Sequence, residues 1–345
     1  MKKTALILFG LIAESIGLMA QEADSTSLRP SFGVDYTGEV QTDFERFRQA
    51  NLLELKADIP LSKALSFQVS TITAWTTRPY LDVNDLQAFS NIDVYALRVP
   101  FSLAVAGFTW QMNDRHSLFA GIRRVDEDYF CSDVMGLFTN SSCGIFPTLS
   151  FNDHANTFPF AAMGLHYVYD HKNICLQASL YNGDCDYHLT GRYNMFRVCP
   201  QSDGVYAIGQ VEYRHRDSHY YLGGSLNSGP DSAPTMWAYA EQALMPNLTM
   251  ILAYSHAFGD NLPCNDFCGI GARYVYKRAE FGIFTDFTSV SDVEEDASDE
   301  IDEFATEFVC ELHLTDYFSV KPVLHIITTD DETKYVGMLR VKLSF

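Results

Sequence analysis

The densest cluster of groups able to do chemistry is Arg123-Arg124-Val125-Asp126-Glu127-Asp128, and Phe138-Thr139-Asn140-Ser141-Ser142 follows close behind. Two guanidiniums facing three carboxylates could set a field across an opening, orienting polar solutes and repelling apolar ones. Asn140, Ser141 and Ser142 offer hydrogen-bond donors and acceptors matched to hydroxyl groups. Phe138, Phe146 or Phe151 could stack on a sugar ring. The other reading of the same residues is that the charges solvate a loop base and the polar side chains make turns. The aromatics would then anchor the loop to a wall, a role its apolar content favours. Ser, His and Asp are plentiful, as in Asp153-His154 or His215 and His219. No Gly-x-Ser-x-Gly elbow occurs, and scattered triad members identify nothing without geometry. No cysteine spacing fits a zinc site. No catalytic residue, metal or cofactor is therefore expected.

Apart from Arg123 and Arg124 at its edge, both clusters lie in the stretch 125–159, which is too irregular and too rich in Asn, Ser and Asp to be a strand. Connections of such length are uncommon in compact proteins and are usually functional or disordered. Phe130, Leu137, Phe138, Ile145, Phe146, Leu149, Phe151 and Phe158 give this one enough apolar surface to pack. The expectation is a constriction loop that folds back into the mouth of a transmembrane β-barrel and narrows it.

The rest of the chain supports a barrel. Met1-Lys2-Lys3, the apolar run Ala5 to Ile12 and the small-residue site ending at Ala20 form a secretory signal peptide over residues 1–20, which leaves 21–345 as one domain. No later run of about 18 apolar residues could be a transmembrane helix, so any membrane span must be made of strands. The net charge is -20, and it becomes one unit more negative when Lys2, Lys3 and Glu14 leave with the signal. Nucleic acid is excluded as a partner on that balance. An aromatic content of 14% with near-zero mean hydropathy suits a barrel that is apolar outside and polar inside.

Eight cysteines in an exported chain permit disulfides. Loop position suggests Cys131 with Cys143, Cys185 with Cys199, and Cys264 with Cys268, while Cys175 and Cys310 fall inside strands as free thiols. The acidic run Ser291 to Glu300 lacks the ordered spacing and Gly of a calcium loop, and reads as a solvated extracellular loop.

Period-2 alternation yields about sixteen segments near the 9 to 11 residues a tilted strand needs. In 173–182, Ile174, Leu176, Ala178 and Leu180 oppose Gln177, Ser179 and Tyr181. In 303–314, Phe304, Phe308, Cys310, Leu312 and Leu314 oppose Glu307, Glu311 and His313. In 115–124, Arg123 opposes Leu118, Ala120 and Ile122. The segments 268–277 and 279–287 follow the same rule. Connections after even-numbered segments are very short, such as Asn113-Asp114, His171-Lys172 and Lys277-Arg278. Those after most odd-numbered segments are longer, as at 77–97, 125–159 and 183–203. Short periplasmic turns with long extracellular loops are a property of outer-membrane barrels, and 125–159 is then the third extracellular loop. Tyr167, Tyr169, Tyr274, Tyr276, Tyr317 and Phe318 fall at periplasmic strand ends, where an aromatic girdle belongs. The last segment, 335–345, alternates up to Phe345.

Three stretches resemble the carbohydrate-selective porin family (OprB-like) of Gram-negative outer membranes. They are Asn84 to Asp93, the series from Ala120-Gly121-Ile122-Arg123 through Phe138 to Gly144, Pro147 to Ser150 and Phe158-Pro159, and Val320 to Ile326 with the closing strand. The sequence departs from the family pattern at Cys143, Val323 and His325. The resemblance implies a passive channel for small sugars across the outer membrane, narrowed by the loop after the fifth strand. It also implies lipid and lipopolysaccharide as surroundings, and a terminal aromatic read by the barrel-assembly machinery. Homotrimers are common among general porins, though nothing in the sequence identifies a subunit interface. The other function classes are a barrel enzyme of lipase or protease type, a closed structural or adhesive barrel, and a soluble β-sandwich, whose open edges the loop sorting does not suggest.

Overall fold

The computed structural model describes residues 28–77, 81, 83, 87–94, 98–152, 155–183, 195–229, 233–259, 262–291, 300–329 and 332–345. The expected signal peptide, Asp153-His154, Cys185 and most of the acidic run lie outside the described residues.

Sixteen strands form one sheet: β1 (Ser31–Thr42), β2 (Phe47–Pro60), β3 (Leu65–Thr76), β4 (Val99–Asn113), β5 (His116–Arg123), β6 (Ala162–His171), β7 (Ile174–Asn182), β8 (Val205–His215), β9 (Ser218–Asn227), β10 (Thr235–Met245), β11 (Leu248–Ala257), β12 (Cys264–Tyr276), β13 (Ala279–Ser291), β14 (Glu300–Thr315), β15 (Phe318–Thr329) and β16 (Thr333–Ser344). Each pairs antiparallel with its sequence neighbours, and β16 returns to β1, so the sheet closes into a barrel. Two further backbone bonds of 3.0 Å, between Val34 and Phe345 in both directions, extend that seam. Closure removes every sheet edge, which is what lets strands stand in lipid.

The alternation expected from sequence is realised around the wall. Leu165, Ile174, Leu176, Leu180, Val211, Leu222, Leu252, Ile270, Phe308 and Leu339 are exposed on the outer face. Gln210, Glu241, Asp286, Glu307, Lys321 and Arg340 are buried on the inner face. Ile122 departs from the period-2 pattern: it shares the outward parity of Leu118 and Ala120 yet is buried.

Several boundaries differ from expectation. β12 begins at Cys264 rather than at 268, and β13 and β14 run further, to Ser291 and from Glu300. A register shift between Cys264 and Phe267 breaks the alternation in β12, as a β-bulge does. The bulge turns Cys264 inward and leaves Cys268 exposed. The expected Cys264–Cys268 disulfide is therefore absent, since the strand separates the two by roughly 13 Å and a disulfide bridges Cα atoms no more than about 7 Å apart. The Cys131–Cys143 pairing is absent too. The Cys131 thiol donates to the carbonyls of Asp126 and Tyr129, while Cys143 is buried in a 3-10 turn, Ser141–Cys143. Burial pushes the Cys143 thiol well above its ordinary value. Cys175, Cys199 and Cys310 are also free thiols.

Candidate functional site

The site starts where β5 ends. Gly107 and Gly121 face each other across β4 and β5, and a Cβ on Gly121 would stand 2.3 Å from the Ala106 carbonyl oxygen. Its φ of +150° also disfavours any other residue. A Cβ on Gly107 would meet the Phe119 ring at 2.5 Å. These glycines leave room for Phe119 to lie against the wall, and the Arg123 guanidinium sits 4.9 Å above its ring. Arg123 is thus held on its flat face by an aromatic and at its edge by Asp128, through Nε to Oδ2 and Nη2 to Oδ1, both 2.5 Å. Such a two-point pair fixes direction as well as charge.

Arg124 is buried and turns the other way. It pairs with Glu127, approaches Asp126 at 3.5 Å and Glu54 of β2 at 3.7 Å, and covers the Phe158 ring. Burial alone would lower its affinity for a proton. Asp126, Glu127 and Glu54 reverse that and raise it. Asp126 goes the opposite way: burial pushes its carboxyl up to about 6, although Arg124 opposes the shift. The loop closes at its base through Asn156, which donates from Nδ2 to the Arg123 carbonyl and accepts the Val125 N–H. Phe158 N–H donates to Asp126 at 3.0 Å.

Beyond this base the segment packs against inward-facing side chains of the wall. Tyr129 donates to the Ile208 carbonyl and bonds Ser179. Phe130 contacts Phe146 and Trp237 at 4.8 and 4.9 Å, and Phe146 stacks on Phe267 at 4.8 Å. At the tip, the Glu307 carboxylate of β14 accepts from Thr139 N, Asn140 N and the Thr139 hydroxyl at 2.8 to 3.0 Å. Ser142 Oγ donates to Asp286 at 2.7 Å, and Lys321 Nζ donates to the Leu137 carbonyl at 2.6 Å.

Phe138, Asn140 and Ser142 are 0%, 3% and 1% exposed. The expectation that they touch a passing solute directly does not fit that burial. Phe138 packs on Phe284 at 5.4 Å, and Asn140 caps the turn by accepting Ser142 N–H. Ser141 stays partly exposed, as do Arg123, Asp126, Glu127 and Asp128. Phe151 is the candidate aromatic with an open face. The structure therefore brings the five charged residues together at the base and separates them from the 138–142 tip.

Sequence reasoning did not identify the second partner of this tip. Residues 87–94, in the connection between β3 and β4, lie beside it: Asn91 N donates to Thr139 O, Ser141 N to Ala88 O, and Thr139 Oγ1 to Phe89 O. The same short stretch is held to the wall by Asp93, whose buried carboxylate accepts two bonds from the Arg48 guanidinium of β2, and by Asn91, which accepts from Arg340. The available signal was ionisable residues at inward parity in otherwise apolar strands, Glu307 and Lys321 among them.

Beneath the loop base lies a cavity of about 410 Å³ against the inner face of β1 to β4. Lys56, Asp58, Gln68, Ser70, Arg123 and Glu127 contribute to its lining. Gln68 donates to Asp58 at 2.9 Å and accepts from Thr109 at 3.1 Å, so neutral and charged groups alternate along the wall.

No protein-family model and no curated protein matches this sequence. Solved structures do resemble it. A structure of OprB from Pseudomonas putida at high pH superposes with a TM-score of 0.77 at 15% identity, over 92% of this chain and 94% of that one. A loop-deletion mutant of OmpT, an outer membrane protein of Vibrio cholerae, gives 0.60 at 10% identity, covering 92% and 99%. A mutant of the Rh. blastica porin gives 0.60 at 10% identity, covering 92% and 100%. The chain has the closed sixteen-strand barrel fold that the Pseudomonas putida OprB structure shares.

Proposed function

We propose that the protein is an outer-membrane porin through which small sugars diffuse passively, narrowed by the 125–159 segment lying in the lumen. The observation that carries this reading is the polar cavity under the loop base, where Arg123 and Glu127 face Lys56, Asp58 and Gln68. Hydroxyl-rich solutes need donors and acceptors spread along a path, each weak enough to be exchanged for the next. Amides and paired charges on two facing walls provide that. Ser141 of the tip and Phe151 beyond it, both with open surface, would meet solute at the extracellular side. Phe138, Asn140 and Ser142 would hold the tip, and Arg124 with Asp126 and Asp128 would orient the base. The continuous apolar outer face calls for lipid, consistent with an outer membrane carrying lipopolysaccharide. Phe345 at the closing seam suits recognition by the barrel-assembly machinery, and a homotrimer belongs to the same reading.

A closed structural barrel is the second reading, favoured by the dense aromatic core around Phe130 and Phe146. Liposome swelling separates the two. Purified, heat-modifiable protein should admit glucose ahead of amino acids of matched size and exclude larger oligosaccharides. Folded protein that admits none of them is a plugged barrel, and one that admits all equally is a general pore.

A further inference from the structure

Among the described residues, the inner wall carries more fixed negative charge than positive, and the imbalance has a structural pattern. Among these residues, several cations of the passage are shared by more than one carboxylate or matched by one. Lys56 Nζ lies between Asp35 at 2.9 Å and Glu54 at 3.3 Å. Arg124 serves Glu54, Asp126 and Glu127 together. Arg214 serves Asp170 at 2.8 Å and Glu212 at 3.0 Å near the periplasmic rim. Arg273 is matched by Glu280 at 2.6 Å. Beyond these, Asp58 is bonded by a neutral amide, Gln68. Glu307 is bonded by backbone N–H groups and the Thr139 hydroxyl.

We infer that the channel prefers cations, and that among sugars of one size it passes neutral and amino sugars ahead of sugar acids. This rests on the porin reading above and adds its charge selectivity. Low-dielectric walls around a narrow aqueous path focus the field of fixed charges, and one sign of charge then concentrates its counter-ion. Carboxylate-lined constrictions select cations in this way. Asp58 and Glu127 matter most, since both line the cavity that solute must cross. Glu307 is covered by the loop tip and acts only at a distance. Exposed charges are screened over about 10 Å at 0.1 M salt and about 3 Å at 1 M, so selectivity is a low-salt property.

The test is the reversal potential of the full-length protein in a planar bilayer under a KCl gradient. A potassium-to-chloride permeability ratio of about threefold or more is expected in dilute salt, since a potential of about half a kT, acting oppositely on the two ions, already gives that factor, with decline toward one in concentrated salt. Asp58→Asn should lower the ratio and Lys56→Gln should raise it. Opposite signs from neighbouring residues separate charge from damage to the fold. In liposomes, glucosamine should enter ahead of glucose and glucose ahead of gluconate. A current with a ratio at or below one, or gluconate entering as fast as glucosamine, overturns the charge preference alone. No current from folded protein overturns the channel reading and this inference with it.

Discussion

Glu307 has three donors on its carboxylate and all come from the loop tip, two of them backbone N–H groups that no side chain could replace. Substituting Glu307→Ala leaves the two N–H groups buried without an acceptor, at a cost of about 1 to 3 kcal/mol for each, while the Thr139 hydroxyl keeps the Phe89 carbonyl. The barrel ladder is untouched, so the loss falls on the tip. Single-channel recording should show a larger and noisier conductance for Glu307→Ala, and an intermediate value for Glu307→Gln, whose amide oxygen still accepts. Unchanged conductance in both would mean that the tip does not bound the passage.

Asp126 supplies a residue-scale pH dependence. Burial raises its carboxyl to about 6, so it is mostly ionised at pH 7 and mostly neutral at pH 5. Because the folded value lies above the unfolded one of roughly 4, its contribution to stability is fully present below the unfolded value and is lost as pH rises through 6. Acidification from pH 7 to 5 should therefore remove one negative charge beside Arg124 and weaken cation preference without unfolding the loop base. Asp126→Asn should show the weaker preference at both pH values, which reversal potentials at the two pH values would reveal.

At the scale of elements, the wall and the loop approach each other closely at a glycine. Gly282 of β13 faces Leu137 and Phe138, each 2.9 Å from where a Cβ would stand. Gly282→Val should push the 137–138 turn off β13 and raise conductance, while heat-modifiable mobility on gels stays that of the parent. A Gly121→Val change is of another kind: its Cβ meets backbone, 2.3 Å from an oxygen, at a φ of +150°. It should reduce the yield of folded barrel.

The elements themselves were the most legible part of the sequence. Strict alternation in β7 and β14 and the tight turns after even strands follow from a wall with lipid on one side, which leaves little freedom. The bulge at Cys264 was not legible, because an extra residue in a ladder is set by the partner strand's register, which period counting does not see. The site was legible at its base, where charges cluster in sequence. It was hidden at its tip, where Glu307, Asp286 and Lys321 approach Thr139, Ser142 and Leu137 from far along the chain.

Across the whole molecule, two long connections share one set of bonds. The 87–94 stretch is tied to β2 by Arg48–Asp93 and to β16 by Asn91–Arg340. The 138–142 tip is tied to β14 by Glu307, and the two are joined by Asn91–Thr139 and Ser141–Ala88. Neither is held by its own wall contacts alone, so a change at one should be felt at the other. Asp93→Ala takes a two-point partner from the buried Arg48 guanidinium, and removing one partner of a buried pair costs up to about 3 to 5 kcal/mol. Part of that strain can be relieved by letting 87–94 leave the wall, which withdraws the Asn91 donor and the Ala88 acceptor that brace Thr139 and Ser141. Asp93→Ala should then raise conductance although the ion pair it removes lies between the 87–94 stretch and β2. Combined with Glu307→Ala, the increase should fall short of the sum of the two, since contacts in one network are not additive. Conductances from the four members of that mutant cycle decide it: a strictly additive cycle would mean two independent loops rather than one internal brace.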